Sequence, residues 1–209
     1  MTALGWVEED EKLIREGQAF DPYRLEWSVD NGSRDRPSHT VTPVEALSLL
    51  GERGLLRRVP VGIIGPREAT PAQCELAEQL GAALAKHGLQ LLCGGKSGVM
   101  EAACKGHAMS GGLPIGILPD DEWQAANAYV AIPIATGLGP ARNAIIARAC
   151  MVLVAIGGGV GTLSEIALGL QFNRLVLATA DAPSVIGVPL VTGVDDILDR
   201  IAKRVFSFA

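Results

Sequence analysis

Short apolar runs alternate with amphipathic segments along most of the chain, beginning at residue 59. Each run is apolar on consecutive positions, so both faces of a strand formed there would be buried. Continuous apolar strands are typical of a parallel sheet that helices cover on both sides. The predicted strands are 59–65, 89–95, 113–119, 129–135, 151–159, 174–180 and 188–193.

The segments between these runs have helical patterns. The first of them opens with Thr70-Pro71-Ala72-Gln73, a capping box. The resulting order, βαβαββαβαββα, predicts an α/β fold: a Rossmann-like, doubly wound, mostly parallel sheet of about seven strands with helices on both faces. The predicted helices are about 71–87, 98–110, 139–149, 162–173 and 195–207.

The first 58 residues do not follow this rhythm. Residues 24–37 predict a short strand that enters an Asn-Gly turn, and a short helix follows, with Thr42 and Glu45 as its capping box. The segment is rich in charge and has little apolar material for a core of its own. We therefore expect two parts, an N-terminal arm (1–58) that packs on a Rossmann-like main domain (59–209).

The overall composition narrows the functional class. Of the 209 residues, 48% are hydrophobic and 20% charged, which is typical of a folded globular chain. The net charge of -5 and the lack of a long basic run argue against nucleic-acid binding, which depends on neutralising phosphates. No signal peptide and no membrane-length apolar stretch is visible, so a soluble cytoplasmic protein is expected.

No metal site is expected from the sequence. Structural zinc sites need clustered ligands, whereas the cysteines here form no Cys-x-x-Cys pair and the chain has only three histidines. Buried free thiols are the simpler interpretation. The four cysteines are Cys74, Cys93, Cys104 and Cys150.

Two glycine-rich corners, each between a predicted strand and a helix, are the main candidate for chemistry. They read CGGKSGVMEAA (93–103) and IGGGVGTLSEIA (156–167). Glycines let backbone N–H groups point at a ligand, and a helix start adds free N–H groups and a positive dipole end. The corners therefore predict a shared phosphate site. Its candidate binding residues are Gly94, Gly95, Lys96, Ser97, Gly98, Asn143, Gly158, Gly159, Val160, Gly161 and Thr162.

Neither corner matches a standard nucleotide motif. The first contains Gly-Lys-Ser, but Gln90 stands where a P-loop needs its first glycine. The second spaces its glycines as GxGxG, and Thr162 stands where GxGxxG needs its third. The first strand-to-helix corner, GPREATP (65–71), lacks this fingerprint too, so the sequence does not favour an NAD-dependent dehydrogenase.

Two charged residues near the second corner are candidates for direct contact with the ligand. Glu165 either completes a capping box that starts at Thr162 or turns its carboxylate to an uncharged part of the ligand. Arg142 lies at the start of a helix, where the dipole disfavours a cation, so an anionic ligand or Glu165 should compensate it; otherwise its guanidinium is solvated. Lys96 could reach a phosphate or remain solvated on its loop.

Four motifs, in this order, resemble the LOG-like family, whose members carry a PGGxGTxxE signature and were formerly labelled lysine decarboxylases. The resemblance covers about residues 59–193 and leaves the N-terminal arm outside. The motifs are GGKSGVMEAACKGHAMSGGLPIGILPD (94–120), NAY (127–129), TGLGPARN (136–143) and GGGVGTLSEIALGL (157–170).

This resemblance implies a Rossmann-like fold, a homodimer and a phosphorylated ligand. LOG enzymes cleave the N-glycosidic bond of nucleoside 5′-monophosphates and release the base and ribose 5-phosphate. Their PGGxGT corner holds the phosphate, and an arginine and the signature's glutamate are catalytic. The matching positions here are Arg142 and Glu165.

The sequence departs from these enzymes at three places. Ile156 or Gly157 replaces the signature proline, Arg142-Asn143 replaces an Arg-Lys pair, and Cys150 replaces the usual acidic residue before the fifth strand. The rest of the motif sequence is more similar to that of the molybdenum cofactor carrier proteins. These proteins hold a phosphorylated pterin–dithiolene and need no glycosidase activity.

The expected function is therefore binding of a phosphorylated heterocyclic ligand, as in the carrier branch. The alternative is a nucleoside 5′-monophosphate phosphoribohydrolase, with Glu165 stabilising an oxocarbenium ion or positioning water, and Arg142 holding phosphate or ribose. A third hypothesis is a ligand sensor that signals through its arm. The resemblance implies no required cofactor; molybdenum cofactor or a nucleoside monophosphate would be the ligand. A wide apolar stripe on helix 162–173 also predicts a homodimer through this helix or the preceding one.

Overall fold

The structure, a computed structural model, describes residues 3–30, 32 and 38–206. The chain divides into two units, one formed by Met1–Arg57 with Leu198–Ala209 and the other by Arg58–Ile197. The C-terminal residues are thus grouped with the N-terminal ones, whereas the sequence prediction assigned them to the main domain. No helix in the described part of the chain is long and apolar enough to cross a membrane.

The first unit contains a five-stranded sheet in the order β4-β3-β2-β1-β5. All of its strand pairs are antiparallel. The predicted short strand is β4, and the predicted turn at Asn31 lies outside the described residues. The elements are β1 (Leu4–Val7), β2 (Lys12–Arg15), β3 (Gln18–Asp21), β4 (Glu26–Val29), β5 (His39–Val41) and the helix α1 (Pro43–Glu52), whose predicted capping box is present.

This unit has a core of its own. Trp6 and Leu13 are almost fully buried, and the ring of Phe20 lies 5.1 Å from that of Trp27 and 5.0 Å from that of Phe206. The Trp27 Nε1 donates a hydrogen bond to the Phe206 carbonyl at 3.0 Å. The prediction that this segment has little core was wrong, because single large side chains on short, charged strands supply it. Packing of this segment on the main domain stays a prediction.

The second unit is the predicted α/β fold. Its strands are β6 (Pro60–Ile64), β7 (Gln90–Cys93), β8 (Ile115–Leu118), β9 (Ile132–Ala135), β10 (Val152–Ala155) and β11 (Leu175–Ala178). Its helices are α2 (Pro71–Lys86), α3 (Val99–Met109), α4 (Asn143–Ala149) and α5 (Val160–Gln171), and α6 (Val194–Val205) begins in this unit. Short 3-10 turns occur at Trp123–Ala125 and Gly139–Arg142.

The sheet of this unit has six strands in the order β11-β10-β6-β7-β8-β9, and every pair is parallel. Helices cover both faces, which confirms the predicted fold class. The seventh predicted strand, 188–193, forms only an isolated bridge between Leu190 and Ala178. Pro189 has no N–H to donate, so a regular ladder cannot continue through it.

The helices α2 and α3 approach each other closely at two glycines. A Cβ added to Gly81 would lie 2.1 Å from the Ala103 carbonyl oxygen, and one added to Gly106 would lie 1.9 Å from the Glu78 carbonyl oxygen. The two backbones therefore touch without side chains between them. The α4 and α5 helices also pack together as a pair.

Candidate functional site

The crevice between β6 and β10 is the point where the strand order of the sheet reverses. The chain runs from β6 outward through β7, β8 and β9, and then returns to the other side of β6 with β10 and β11. Open α/β sheets bind ligands at such a point, outside the carboxyl ends of the strands. The loops that follow β6 and β10 therefore form the expected binding region.

A cavity of about 330 Å³ opens at this crevice. Six of the predicted site residues line it: Arg142, Asn143, Gly159, Gly161, Thr162 and Glu165. The rest of its wall is formed by Gly65, Pro66, Arg67, Met100, Pro119 and Pro140. The structure thus brings the second glycine corner, the start of α4 and the loop after β6 to one cavity.

The second glycine corner presents the start of α5 to the cavity. Its N-cap is Gly159, which offers no side-chain hydrogen bond, and the Leu163 N–H makes the first helical bond, to the Gly159 carbonyl at 2.9 Å. The preceding helical N–H groups have no partner within the helix and are free for a ligand. A Cβ added to Gly159 or Gly161 would meet nothing within 4 Å, so this corner is open.

The two other predicted residues of this corner do not line the cavity. Gly158 lies beneath the side chain of Thr162, whose Oγ1 would be 2.3 Å from a Cβ at Gly158. The Val160 side chain is 85% exposed. Of the predicted residues of this corner, Gly159, Gly161 and Thr162 therefore face the ligand space.

A polar network supports the corner from behind. The Gly157 N–H donates to the Thr179 Oγ1 at 3.0 Å, and the Thr179 hydroxyl donates to the Asp181 Oδ1 at 2.5 Å. The Asp181 Oδ2 also accepts from the Gln73 Nε2 at 2.6 Å. Since Gln73 belongs to the capping box of α2, the starts of α2 and α5 are linked by side chains.

Arg142 and Glu165 form a buried pair in the cavity wall. Each residue is only 7% exposed, and the Arg142 Nη1 lies 3.4 Å from the Glu165 Oε1. The same Nη1 donates to the Asn143 Oδ1. The Arg142 Nε is buried without a hydrogen-bond partner, which leaves part of this guanidinium unsatisfied.

Burial shifts the ionisation of both members of the pair. It lowers the pKa of Arg142, an effect that the charge of Glu165 opposes. Burial also raises the pKa of Glu165 to about 7, although Arg142 acts in the opposite direction. Near neutral pH the Glu165 carboxyl is therefore present in both protonation states, and can accept or donate a hydrogen bond.

The capping-box alternative for Glu165 was wrong. Because α5 begins at Val160, Thr162 is already inside the helix, and Glu165 lies in its second turn. Within the start of the helix, the Ser164 Oγ donates a hydrogen bond to the Gly161 carbonyl at 2.7 Å. Asn143 supports this arrangement, since its Nδ2 donates to the Ser164 Oγ at 2.8 Å.

The first glycine corner lies at the same edge of the sheet, because β7 is parallel to β6 and adjacent to it. Its five predicted residues (94–98) are not among those that line the cavity. A Cβ at Gly94 would lie 2.5 Å from the Arg142 Nη2, so this glycine makes room for the arginine. Gly95 donates its N–H to the Cys93 Sγ at 3.3 Å.

The remaining residues of this corner are also engaged by protein atoms. Lys96 Nζ donates to the Asp120 Oδ2 at 2.9 Å and to the Ala125 carbonyl at 2.8 Å. Ser97 Oγ donates to the Arg67 carbonyl at 3.4 Å. Gly98 is pressed against the same loop, because a Cβ there would lie 2.4 Å from the carbonyl oxygens of Pro66 and Arg67. That residues 94–98 contact the ligand directly stays a prediction. Their hydrogen bonds and close packing with protein atoms do not favour it.

Sequence reasoning missed Arg67, which lines the cavity with an exposed side chain. It follows Gly65-Pro66 in a loop that has no glycine fingerprint, so no motif drew attention to it. The available signal was its position, directly after the first strand of a doubly wound sheet, because that strand always borders the crevice.

Known proteins are similar to the part of the chain that contains this cavity. The model of the SLOG cluster4 family matches residues 58–197. An uncharacterized protein from Archaeoglobus fulgidus is 39% identical over 131 residues, which are 63% of this chain and 85% of that protein.

Two solved structures are similar to the α/β part of the chain. The molybdenum cofactor binding protein from Rippkaea orientalis is 35% identical with a TM-score of 0.65, over 69% of this chain and 96% of that chain. The molybdenum cofactor carrier protein from Chlamydomonas reinhardtii is 33% identical with a TM-score of 0.66, over 73% of this chain and 100% of that chain. The first unit, with its antiparallel sheet, lies outside the family match.

Proposed function

We propose that this chain, which belongs to the SLOG cluster4 family, binds molybdenum cofactor in the cavity at the β6–β10 crevice. The cofactor is a phosphorylated pterin–dithiolene and would be carried as a ligand. The proposal is supported by the two similar structures, whose names give molybdenum cofactor as what they bind or carry. Each of them is matched over nearly its whole length.

The observation that carries the proposal is an unsatisfied cation beside an open helix start. The Arg142 Nε is buried without a partner, and the uncapped N-terminus of α5 reaches the same cavity. A buried guanidinium and free helical N–H groups both stabilise an anion. A phosphate at the start of α5 would satisfy these N–H groups, which the helix itself leaves free.

The remaining wall suits a flat heterocycle. Pro66, Pro119 and Pro140 provide rigid apolar surface, and Glu165 can accept hydrogen bonds from ring N–H groups. The volume of about 330 Å³ falls within the range of small-molecule sites, roughly 300–1,000 Å³.

The alternative, phosphoribohydrolase activity, has weaker support. Glycoside hydrolysis ordinarily uses two carboxyl groups. Glu165 is the only acidic side chain among the described residues that line the cavity. Its pKa of about 7 would suit a general acid, but a binding role needs no second acid.

A binding assay with the cofactor tests the proposal. Molybdenum cofactor released from a molybdoenzyme is mixed with the protein without oxygen and passed through gel filtration. Molybdenum and pterin should elute with the wild-type chain in equal amounts. Arg142→Ala should weaken retention by more than about tenfold, whereas Arg58→Ala, an exposed arginine outside the cavity, should not. Failure of the wild type to retain pterin would reject the proposal.

The same protein is then incubated with AMP and related monophosphates. Release of free base would favour the hydrolase, and Glu165→Gln should then reduce turnover by about a hundredfold or more. Base release that survives this substitution would place the chemistry elsewhere in the cleft.

We also propose a homodimer that uses α4 and α5. Both helices expose apolar side chains, Ile145 on α4 and Val160 and Leu163 on α5. Light scattering at tens of micromolar should give the mass of a dimer, and Leu163→Lys should shift it to the monomer. A monomeric wild type would refute this assembly. Absence of nucleic-acid binding and a cytoplasmic location stay predictions from the sequence.

A further inference from the structure

We propose that Arg67 recognises a second anionic group of the ligand, and that the first glycine corner positions this arginine. This inference deepens the proposed function and rests on it only in assuming an anionic ligand in the same cavity. The site would then select compounds that carry a phosphate at one end and another anionic group at the other.

Arg67 is the cation of the cavity wall that forms no ion pair with a described residue. Its exposed side chain belongs to the cavity lining, and no carboxylate among the described residues forms an ion pair with it. By contrast, Arg142 lies beside Glu165 and Lys96 beside Asp120.

The charge of Arg67 acts on the groups around the cavity. It adds to the lowering of the Arg142 pKa, which burial dominates, and to the lowering of the Asp120 pKa, which the hydrogen bond from Lys96 dominates. Two arginines, Arg67 and Arg142, thus line one small cavity, and Glu165 is the one acidic residue among its described lining residues. In a chain with a net charge of -5, this local excess of positive charge indicates an anionic occupant.

The backbone that carries Arg67 is held by the first glycine corner. The Val99 N–H donates to the Pro66 carbonyl at 3.2 Å, and the Ser97 hydroxyl donates to the Arg67 carbonyl at 3.4 Å. Gly98 has a φ of +70° and approaches both carbonyls too closely for any Cβ. These contacts explain why glycine occupies a position that does not line the cavity.

The two anion sites are on different loops of the crevice. Arg67 follows β6, whereas the free N–H groups of α5 follow β10. With a ligand phosphate at the α5 terminus, Arg67 would be available to a second anionic group of the same ligand.

Titration calorimetry with two sugar phosphates tests the inference. Ribose 5-phosphate carries one phosphate, and ribose 1,5-bisphosphate carries two on the same skeleton. The wild type should bind the bisphosphate at least about tenfold more tightly. Arg67→Gln should reduce this ratio to within about twofold, because it weakens binding of the bisphosphate far more than binding of ribose 5-phosphate. Arg67→Lys should restore part of the ratio.

Arg58→Gln is the matched control, since it removes an exposed arginine of the same unit that does not line the cavity, and it should keep the ratio. Gly98→Ala, measured where circular dichroism shows it folded, should lose the ratio as Arg67→Gln does. Absence of a preference in the wild type, or equal weakening of both ligands by Arg67→Gln, would overturn the inference. An unchanged ratio in folded Gly98→Ala would overturn the positioning role.

Failure of this test is distinct from failure of the proposed function. A chain that retains molybdenum cofactor but shows no bisphosphate preference would keep the function and lose the role of Arg67. A chain that shows the preference but retains no cofactor would keep the two-anion site and lose molybdenum cofactor as its ligand.

Discussion

The two glycine corners of the α/β unit are similar in sequence and opposite in surroundings. At the first corner, added Cβ atoms would collide with the Arg142 guanidinium at Gly94 and with carbonyl oxygens at Gly98. At the second corner, the space beside Gly159 and Gly161 is empty, and both glycines line the cavity. The first corner is filled by the protein itself, and the second is open to a ligand at Gly159 and Gly161.

This difference separates two uses of glycine at strand-to-helix corners. A glycine that is surrounded by protein atoms allows close packing and holds neighbouring groups in position. A glycine with open space on its Cβ side gives a ligand access to backbone N–H groups. The first corner serves the site through the two arginines that it supports, and the second serves it directly.

Gly98→Ala should break the first corner and have the largest effect. The positive φ and the two nearby carbonyl oxygens combine backbone strain with overpacking, so we expect a loss of about 4 kcal/mol in the free energy of unfolding. Urea denaturation followed by circular dichroism measures it. A variant as stable as the wild type would mean that this corner is not tightly packed.

Glu165→Gln should change how the free energy of unfolding depends on pH, because the second corner, unlike the first, places a buried ionisable carboxyl in the cavity wall. The pKa of Glu165 is raised from 4.5 to about 7 in the folded chain, so the folded state binds more protons than the unfolded state between these values. The stability from this group is complete below pH 4.5 and is lost as the pH rises through 7. The loss is about 3 kcal/mol.

Urea denaturation of both proteins between pH 4.5 and 8 tests this. The stability of Glu165→Gln relative to the wild type should rise with pH across the window and then become constant. A difference that does not change with pH would contradict the shifted pKa.

Gly161→Ala should show that the second corner is open. Alanine favours a helix over glycine by about 0.5–1 kcal/mol, and its methyl group would meet no protein atom, so the variant should be slightly more stable than the wild type. The methyl group would occupy ligand space, and binding of ribose 5-phosphate or cofactor should weaken by about tenfold. Unchanged affinity would indicate that the ligand does not approach Gly161.

Lys96→Met should have the smallest effect. Lys96 is engaged with Asp120 and the Ala125 carbonyl, and a partly exposed ion pair contributes about 1 kcal/mol or less. Ligand affinity should stay within about twofold of the wild type. A larger loss in calorimetry would show that the lysine leaves Asp120 to bind the ligand.

The fold of the α/β unit could be predicted because its strands are continuous apolar runs and its first helix carries a capping box. Local sequence also gave the α1 cap at Thr42 and Glu45. The local pattern could not show that residues 188–193 form only one bridge, because the hydrogen bonds of a strand depend on how the neighbouring strand lies beside it. The core of the first unit was missed because it depends on contacts between distant residues, such as Phe20 and Phe206.

The candidate site was predicted only in part, because local motifs are visible in the sequence and contacts between distant residues are not. Arg142, Glu165 and the second corner follow from motif and strand order. Arg142, Glu165 and three of the five predicted residues of that corner line the cavity. The role of residues 94–98 could not be read from composition, because open and filled glycines look the same in a sequence. The helix start at Val160, two residues before the predicted one, was enough to change Glu165 from a cap to a cavity residue.

The backbone contact between α2 and α3 has a kinetic consequence. Without intervening side chains at Gly81 and Gly106, no rotamer change can let the helices slide, so the loops that lead into them share one rigid support. The loop into α2 lines the cavity with Arg67, and the start of α3 and the loop before it hold that loop through the Pro66 and Arg67 carbonyls. The free and bound forms of this side of the cavity should therefore be nearly the same, and little ordering free energy is needed on association. Residence time should then depend on the polar contacts of the ligand rather than on opening of a lid.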